Sequence, residues 1–70
     1  MNAVCTYLIQ IRGQVNEAEI NAISLLPLIV EWGDATATLF TTSTNQTDLI
    51  RMMRHLHKQG FIFLSINCKR

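Results

Sequence analysis

The amino-acid sequence predicts an α+β fold whose elements follow the order β-α-β-β-α-β. Apolar and polar residues alternate near both ends and in the middle of the chain, which is the period of a strand. Between these stretches the apolar residues recur at helical spacing. The helix-capping residues Asn16 and Asn45 stand directly before the two helical segments, and they mark where each helix should begin.

The first strand is predicted over residues 3–13, because β-branched and aromatic residues there alternate with period two. The face predicted to turn inward comprises Cys5, Tyr7, Ile9, Ile11 and Gly13. Leu8 is then the apolar residue that the middle of this strand turns outward.

The first helix is predicted to begin after Asn16, with Glu19 as its capping-box partner. Val15 and Ile20 fit a hydrophobic staple, and Pro27 requires the helix to end by Leu26. The predicted inward stripe comprises Ala18, Ala22, Ile23 and Leu26.

A hairpin is predicted from Leu28–Trp32 and Ala35–Thr42, with Gly33-Asp34 as a type II′ turn. This turn pairs Trp32 with Ala35, Val30 with Ala37 and Leu28 with Leu39, and these six residues form the predicted inner face. The predicted outer face comprises Ile29, Glu31, Thr36, Thr38 and Phe40.

The second helix is predicted between Asn45 and Gly60, with Asp48 near its positive end and Leu49, Met52, Met53 and Leu56 turned inward. The last strand is predicted over 61–68. Its inner face comprises Ile62, Leu64, Ile66 and Cys68, and its outer face Phe61, Phe63, Ser65 and Asn67.

Right-handed crossovers turn this order into a ferredoxin-like fold: one four-stranded antiparallel sheet with both helices on one face. The first and third strands are then central. Residues 1–70 are predicted to form a single domain, since 70 residues leave no room for a second core.

Composition narrows the function classes. Hydrophobic residues make up 49% of the chain, which argues against disorder, and the net charge of +1 weakens the case for nucleic acid or an acidic membrane. No signal peptide is visible, and no apolar run approaches the ~20 residues of a membrane span. We therefore expect a cytoplasmic protein.

The sequence offers no set of catalytic or metal-binding residues. His55 and His57 are two residues apart on a helix and point to different sides, so we expect no metal and no cofactor. No phosphate loop and no nucleophile with its base are present, so we expect no enzyme. Cys5 and Cys68 meet on neighbouring strands; a disulfide is conceivable, but the cytoplasm favours two buried thiols.

The predicted site is the sheet face that the helices leave uncovered. Its apolar residues would be Leu8, Ile29, Phe40, Phe61 and Phe63. An apolar face on so small a domain predicts an interaction module that binds itself, as a homodimer, or a partner protein. Pairing through an edge strand is the variant of this prediction.

Two alternatives belong to other classes of protein. A regulatory domain that binds a small metabolite would use Gln10, Arg12, Thr36 and Thr38 near the sheet centre. An RNA- or single-stranded-DNA-binding domain would stack bases on Phe40, but the first strand supplies no ring and the basic-Gly-aromatic string of such domains is absent.

The motifs also resemble those of a group of small bacterial proteins without an assigned activity. The matching residues are Tyr7-x-Ile9-x-Ile11-x-Gly13, Thr38-Leu39, Asn45-Gln46-x-x-Leu49, Leu56, Gly60 and Leu64-Ser65-Ile66. The group's outline is Y-x-I-x-V-x-G, T-x-L, D-Q-x-x-L and L-G-L-x-L-x-S-V. This chain departs by carrying Asn45 instead of Asp and no Gly before that helix. The resemblance implies the same fold and no particular activity.

Overall fold

Six elements follow one another in the computed structural model, which describes residues 3–69. They are β1 (Cys5–Arg12), α1 (Glu17–Ile23), β2 (Ile29–Gly33), β3 (Ala37–Thr44), α2 (Gln46–Lys58) and β4 (Phe63–Lys69). The strands form one antiparallel sheet in the order β2-β3-β1-β4, which confirms the ferredoxin-like α+β arrangement. Residues 1, 2 and 70, the ends of the predicted domain, lie outside the described residues.

The core lies between one face of the sheet and the two helices. Its buried residues are Ile9 and Ile11 of β1, Phe40 of β3, Ile20 of α1, Leu28, and Leu49, Met52 and Leu56 of α2. The predicted inward faces of β1 and α2 are therefore confirmed, because both were set by a local apolar period.

Asparagine caps begin both helices, as predicted. The Asn16 side chain accepts the N–H groups of Ala18 (2.8 Å) and Glu19 (3.3 Å). The Asn45 side chain accepts the Asp48 N–H at 2.8 Å and donates to the Asp48 carboxylate at 3.1 Å. α2 is followed by Gly60 at φ +98°, a conformation that favours glycine.

The predicted inward stripe of α1 is wrong in part. Ile20 is the buried residue of this helix, whereas Ala18 and Ala22 are exposed. The helix ends at Ile23, before Pro27. Asn21 then joins α1 to the start of β2, since its amide donates to the Leu28 carbonyl oxygen and accepts the Leu28 N–H, each at 2.8 Å.

The predicted register of the hairpin is wrong, and so are the predicted faces of Trp32, Thr38, Leu39 and Phe40, whereas Leu28 and Val30 do pack inward as predicted. Val30 pairs with Phe40 and Trp32 with Leu39, with a bulge between Val30 and Trp32. Phe40 therefore lies in the core at 0% exposure, and Thr38 and Thr42 are buried on the same face. Those two threonines are tolerated inside because each hydroxyl donates to a backbone carbonyl oxygen, of Gly13 (2.8 Å) and of Pro27 (2.9 Å).

The β2–β3 turn also differs from the prediction. A type II′ turn needs a positive φ at Gly33, and among the described residues only Gly13 and Gly60 have one. Residues 34–36 form the connection, and Asp34 closes it by accepting the Thr36 hydroxyl (2.6 Å), the Thr36 N–H (2.8 Å) and the Ala37 N–H (3.0 Å). Gly33 is needed for close approach, since a Cβ there would lie 3.1 Å from the Thr38 hydroxyl oxygen.

The Asp34 turn predicts a pH-dependent contribution to stability. The hydrogen bonds from the Thr36 hydroxyl, then from the Thr36 and Ala37 N–H groups, lower the pKa of Asp34 below its ordinary 3.8. A lowered pKa stabilises the folded state above pH 3.8 and loses that contribution as the pH falls through the folded-state value. Asp34→Ala should therefore lower the melting temperature at neutral pH and lower it less in acid. Asp34→Asn, which accepts hydrogen bonds without titrating, is the control. If the melting temperature of Asp34→Ala is lowered as much in acid as at neutral pH, the prediction is contradicted.

The predicted faces of β4 are correct for the residues that follow its bulge and wrong for the residues that precede it. The register shifts between Gln10, paired with Ser65, and Ile11, paired with Phe63, so Leu64 is the extra residue. Phe61, Phe63 and Ile66 pack against the core, while Ile62 and Leu64 are exposed. The bulge reverses the alternation, as one inserted residue must.

Cys5 and Cys68 form a disulfide, with Cα atoms 6.0 Å apart. The prediction of two buried thiols is wrong, because the cysteines are bonded and Cys68 is exposed. The pairing follows from the register: Tyr7 faces Cys68, which places Cys5 on the adjacent diagonal of the same face.

Candidate interaction surface

The sheet face opposite the helices, here called the open face, carries a continuous apolar patch. Ile29, Thr41 and Leu8 form one row across three strands, and Trp32, Leu39 and Gln10 form the next. Leu8, Ile29, Trp32 and Leu39 therefore lie on neighbouring diagonals and are called the open-face patch. Ile29 is 61% exposed and Trp32 48%, while Leu8 and Leu39 are half-buried.

The structure brings only part of the predicted site together. Leu8 and Ile29 lie on the open face as predicted. Phe40 is in the core, and Phe61 and Phe63 are partly buried against it, so these three do not belong to the face. The bulges in β2 and β4 account for the exchange, since each reverses which residues face the helices.

Trp32 and Leu39 are the residues of the patch that sequence reasoning placed on the wrong face. Without a bulge, alternation puts them beside Val30, on the inner side. A usable signal was the β3 run Thr38-x-Phe40-x-Thr42, whose large aromatic residue can occupy the core if the flanking hydroxyls find partners.

Polar side chains lie among and beside the patch residues and bond to one another across the strands. The hydroxyls of Thr6 and Ser43 are 2.9 Å apart, Thr41 donates to the Glu31 carboxylate at 3.0 Å, and Ser65 donates to the Gln10 side-chain oxygen at 3.2 Å. These bonds fix side-chain rotamers before any partner arrives, so less conformational entropy is lost on binding.

The beginning of the β2 edge is bonded to α1. The Glu17 carboxylate accepts the Val30 N–H at 2.8 Å, and Asn21 bonds both backbone groups of Leu28. A neighbouring chain cannot use those groups to extend the sheet. Edge-strand pairing, the variant predicted from the sequence, therefore has a less obstructed edge at β4.

The residues predicted for the two alternative functions have structural roles. No aromatic residue lies on the open face of the central strands β1 and β3 within residues 3–69, because Phe40 is buried. Thr38 accepts the Val15 N–H and donates to Gly13, and Thr36 closes the turn with Asp34. Thr38 lies on the helix-covered face whereas Gln10 and Arg12 lie on the open face, and Phe40 is not on the open face.

Among residues 3–69, no three His, Cys, Asp or Glu side chains lie close enough to hold a metal ion. In the same range, no helix has the length and apolar character needed to cross a bilayer.

The fold and its surface define the class of protein: an α+β ferredoxin-like domain with one uncovered sheet face. Comparisons with protein-family models, with curated proteins and with solved structures find no match to this chain. The resemblance to small bacterial proteins stays a prediction.

Proposed function

We propose that this chain is a small protein-interaction module that forms a homodimer by stacking the open faces of two copies. The observation that supports this proposal is the open-face patch. Isolated exposed apolar residues are ordinary on protein surfaces, but Leu8, Ile29, Trp32 and Leu39 adjoin one another on three strands. Tryptophan is also enriched at the centre of interfaces.

A second copy is the occupant that fits the charge and symmetry of the face. A two-fold dimer lays the same surface against itself, so the apolar side chains of the open-face patch meet the same side chains of the second copy. Of the charged residues of the face, Arg12 and Lys69 lie outside the patch, whereas Glu31 lies between Ile29 and Trp32, with its carboxylate bonded to the Thr41 hydroxyl at 3.0 Å. The net charge of +1 adds little long-range repulsion between copies.

The size of the face predicts weak association. Four strands about 4.8 Å apart and seven residues of about 3.3 Å each give a face of roughly 19 × 23 Å. Two such faces bury roughly 900 Å² in total, below the ~1,600 Å² of a standard stable interface. We therefore expect a dissociation constant on the order of micromolar or weaker, and exchange between monomer and dimer.

Trp32 is the single tryptophan of the chain and reports directly on the proposed interface. Its emission maximum should shift to the blue as the protein is concentrated, because stacking removes water from the indole. Sedimentation velocity over the same concentrations should show monomer converting to dimer at the same midpoint. A monomer at every concentration, with an unshifted emission maximum, contradicts the proposal.

Charge substitution in the patch should abolish the dimer and preserve the fold. Ile29→Glu and Trp32→Glu each place a carboxylate within the proposed contact, where burial of an unpaired charge costs several kcal/mol. Ile50→Glu is the matched control, since Ile50 is an exposed apolar residue (42%) of α2 on the opposite side. A dimer that survives both patch variants lies elsewhere, with β4 as the first place to look.

The cellular compartment of the protein is a question separate from the dimer. A cytoplasmic location was expected from the sequence, but structural disulfides persist mainly in oxidising compartments. Alkylation of free thiols in freshly lysed cells distinguishes the two: unlabelled Cys5 and Cys68 favour an oxidising compartment, and labelled ones favour the cytoplasm.

A further inference from the structure

α2 lines a second surface, on the side of the molecule away from the open face. This surface, here called the basic groove, has a volume of about 510 Å³ and runs along α2 beside the segment that follows α1. Its walls include Leu25, Ile50, Arg51, Arg54, His55 and Lys58. Residues 47–58 of the helix border it, a length of roughly 16 Å at about 1.5 Å per residue.

The groove concentrates positive charge that the rest of the chain does not neutralise. Three of the chain's six Lys and Arg residues lie in it, within eight positions. In the part of the chain that the structure describes, the single ion pair is Arg51 with Asp48, at 3.8 Å and largely exposed. Three further carboxylates form hydrogen bonds outside the groove. Glu17 accepts the Val30 N–H, and Glu31 and Asp34 each accept a threonine hydroxyl.

The helix dipole explains only part of this charge. Cations in the last turn of a helix stabilise its negative end, which accounts for Lys58. Arg51 lies before that turn, next to the exposed Ile50 (42%) and across from the exposed Leu25 (52%). Side by side, these residues form an amphipathic stripe, with apolar positions flanked by guanidinium groups.

Apolar and basic side chains in one groove fit an acidic segment of a partner protein that also carries an apolar residue. Nucleic acid fits less well, because three cations neutralise few phosphates and no Phe, Tyr or Trp side chain lines the groove. A second copy of the chain fits less well too. Its acidic residues Glu17 and Glu19 line a groove of their own, of about 410 Å³, and two concave surfaces do not interlock.

We propose that the basic groove binds an acidic, amphipathic peptide segment of a partner protein. The carboxylates of that segment pair with Arg51, Arg54 and Lys58, and an apolar side chain contacts Leu25 and Ile50. Arginine suits this role, since its guanidinium pairs with a carboxylate through two hydrogen bonds. The site is independent of the open face, so a dimer would present two such grooves.

The test uses fluorescence anisotropy with three labelled probes: a 12-residue peptide of Glu and Leu, with Leu at every third or fourth position, the same peptide with Gln for every Glu, and a 12-nucleotide oligothymidine. At low ionic strength the Glu peptide should bind about tenfold or more tightly than the Gln peptide, and added salt should remove the difference. Equal binding of the two peptides, or tighter binding of the oligonucleotide, overturns the proposal.

Two charge reversals locate the site. Arg54→Glu should weaken binding of the Glu peptide about tenfold or more, and Lys58→Glu provides a second variant within the groove. Arg12→Glu is the matched control, because it changes the net charge equally at an exposed cation outside the groove, and it should change affinity less than about twofold. Circular dichroism establishes that each variant is folded. Equal losses in Arg12→Glu and Arg54→Glu would mean that net charge, and not the groove, attracts the peptide.

Discussion

Replacing Cys5 and Cys68 with serine is expected to lower the free energy of unfolding by about 4 kcal/mol. The two cysteines are 63 residues apart, so the cross-link closes almost the whole chain into one loop and restricts its unfolded state. A domain of this size buries a smaller share of its surface than a larger one, and total stabilities start at about 5 kcal/mol. The double variant should therefore be close to unfolding at physiological temperature.

Urea unfolding of the oxidised protein, of the same protein in reductant and of the double serine variant measures this effect. The reduced protein and the variant should unfold at similar urea concentrations, both well below that of the oxidised protein. Reductant added to the serine variant is the control, and it should change nothing. An oxidised protein that unfolds at the same urea concentration as the variant would contradict the prediction.

Phe40→Ala is expected to cost about 3–5 kcal/mol, the range for an aromatic residue removed from a core. Phe40 is fully buried in β3, a central strand, and is paired with Ile9 on one side and Val30 on the other. Truncation leaves a cavity that these neighbours cannot close without moving the sheet. Because the whole domain is only marginally stable, Phe40→Leu supplies a milder change in the same direction.

Leu39→Ala is the matched control for this prediction. Leu39 is the chain neighbour of Phe40, but it lies half-buried on the open face. Its loss should cost about 1 kcal/mol or less when the protein is dilute enough to be monomeric. The alternation predicted from the sequence alone would make Leu39→Ala the more destabilising of the two substitutions. Urea unfolding of the two variants therefore decides which residue faces the core. A larger loss in Leu39→Ala would place Leu39 in the core.

The same comparison separates stability from association. A charge at Phe40 should unfold the protein, and loss of the dimer in that variant would carry no information about the interface. Charges at Ile29 and Trp32, which are largely exposed on an edge strand, leave the core intact. The interface is therefore tested through the open-face patch alone.

The sequence predicts well wherever a local signal sets the structure. Asn45, Asp48 and Gly60 mark the ends of α2 because capping depends on residues a few positions apart, and the structure agrees. Ile9 and Ile11 turn inward as predicted, because β1 pairs with β3 without a bulge and its side chains alternate regularly. The order of elements and the right-handed crossovers then lead to the sheet order.

The candidate site was predicted less well, because it depends on the bulges near Glu31 and at Leu64. A bulge is one extra residue on one strand, and nothing in the alternating pattern of that strand reveals it. Leu8, on the regular strand β1, was placed correctly. Phe40, Phe61 and Phe63 were assigned to the open face, and Trp32 and Leu39 to the inner one, because the alternation was continued without a bulge.

The sequence by itself determined the fold class, the helix ends and the inward face of β1, all of which follow from short-range spacing. The tertiary structure decided which faces of β2, β3 and β4 are buried and that Cys5 bonds to Cys68. The physical reason is that threonine, with one methyl and one hydroxyl, can lie on either face of a strand, so its position in the sequence does not indicate which face is buried. Thr38 and Thr42 can line the core only because Gly13 and Pro27 bring carbonyl oxygens to their hydroxyls, and those partners come from distant parts of the chain.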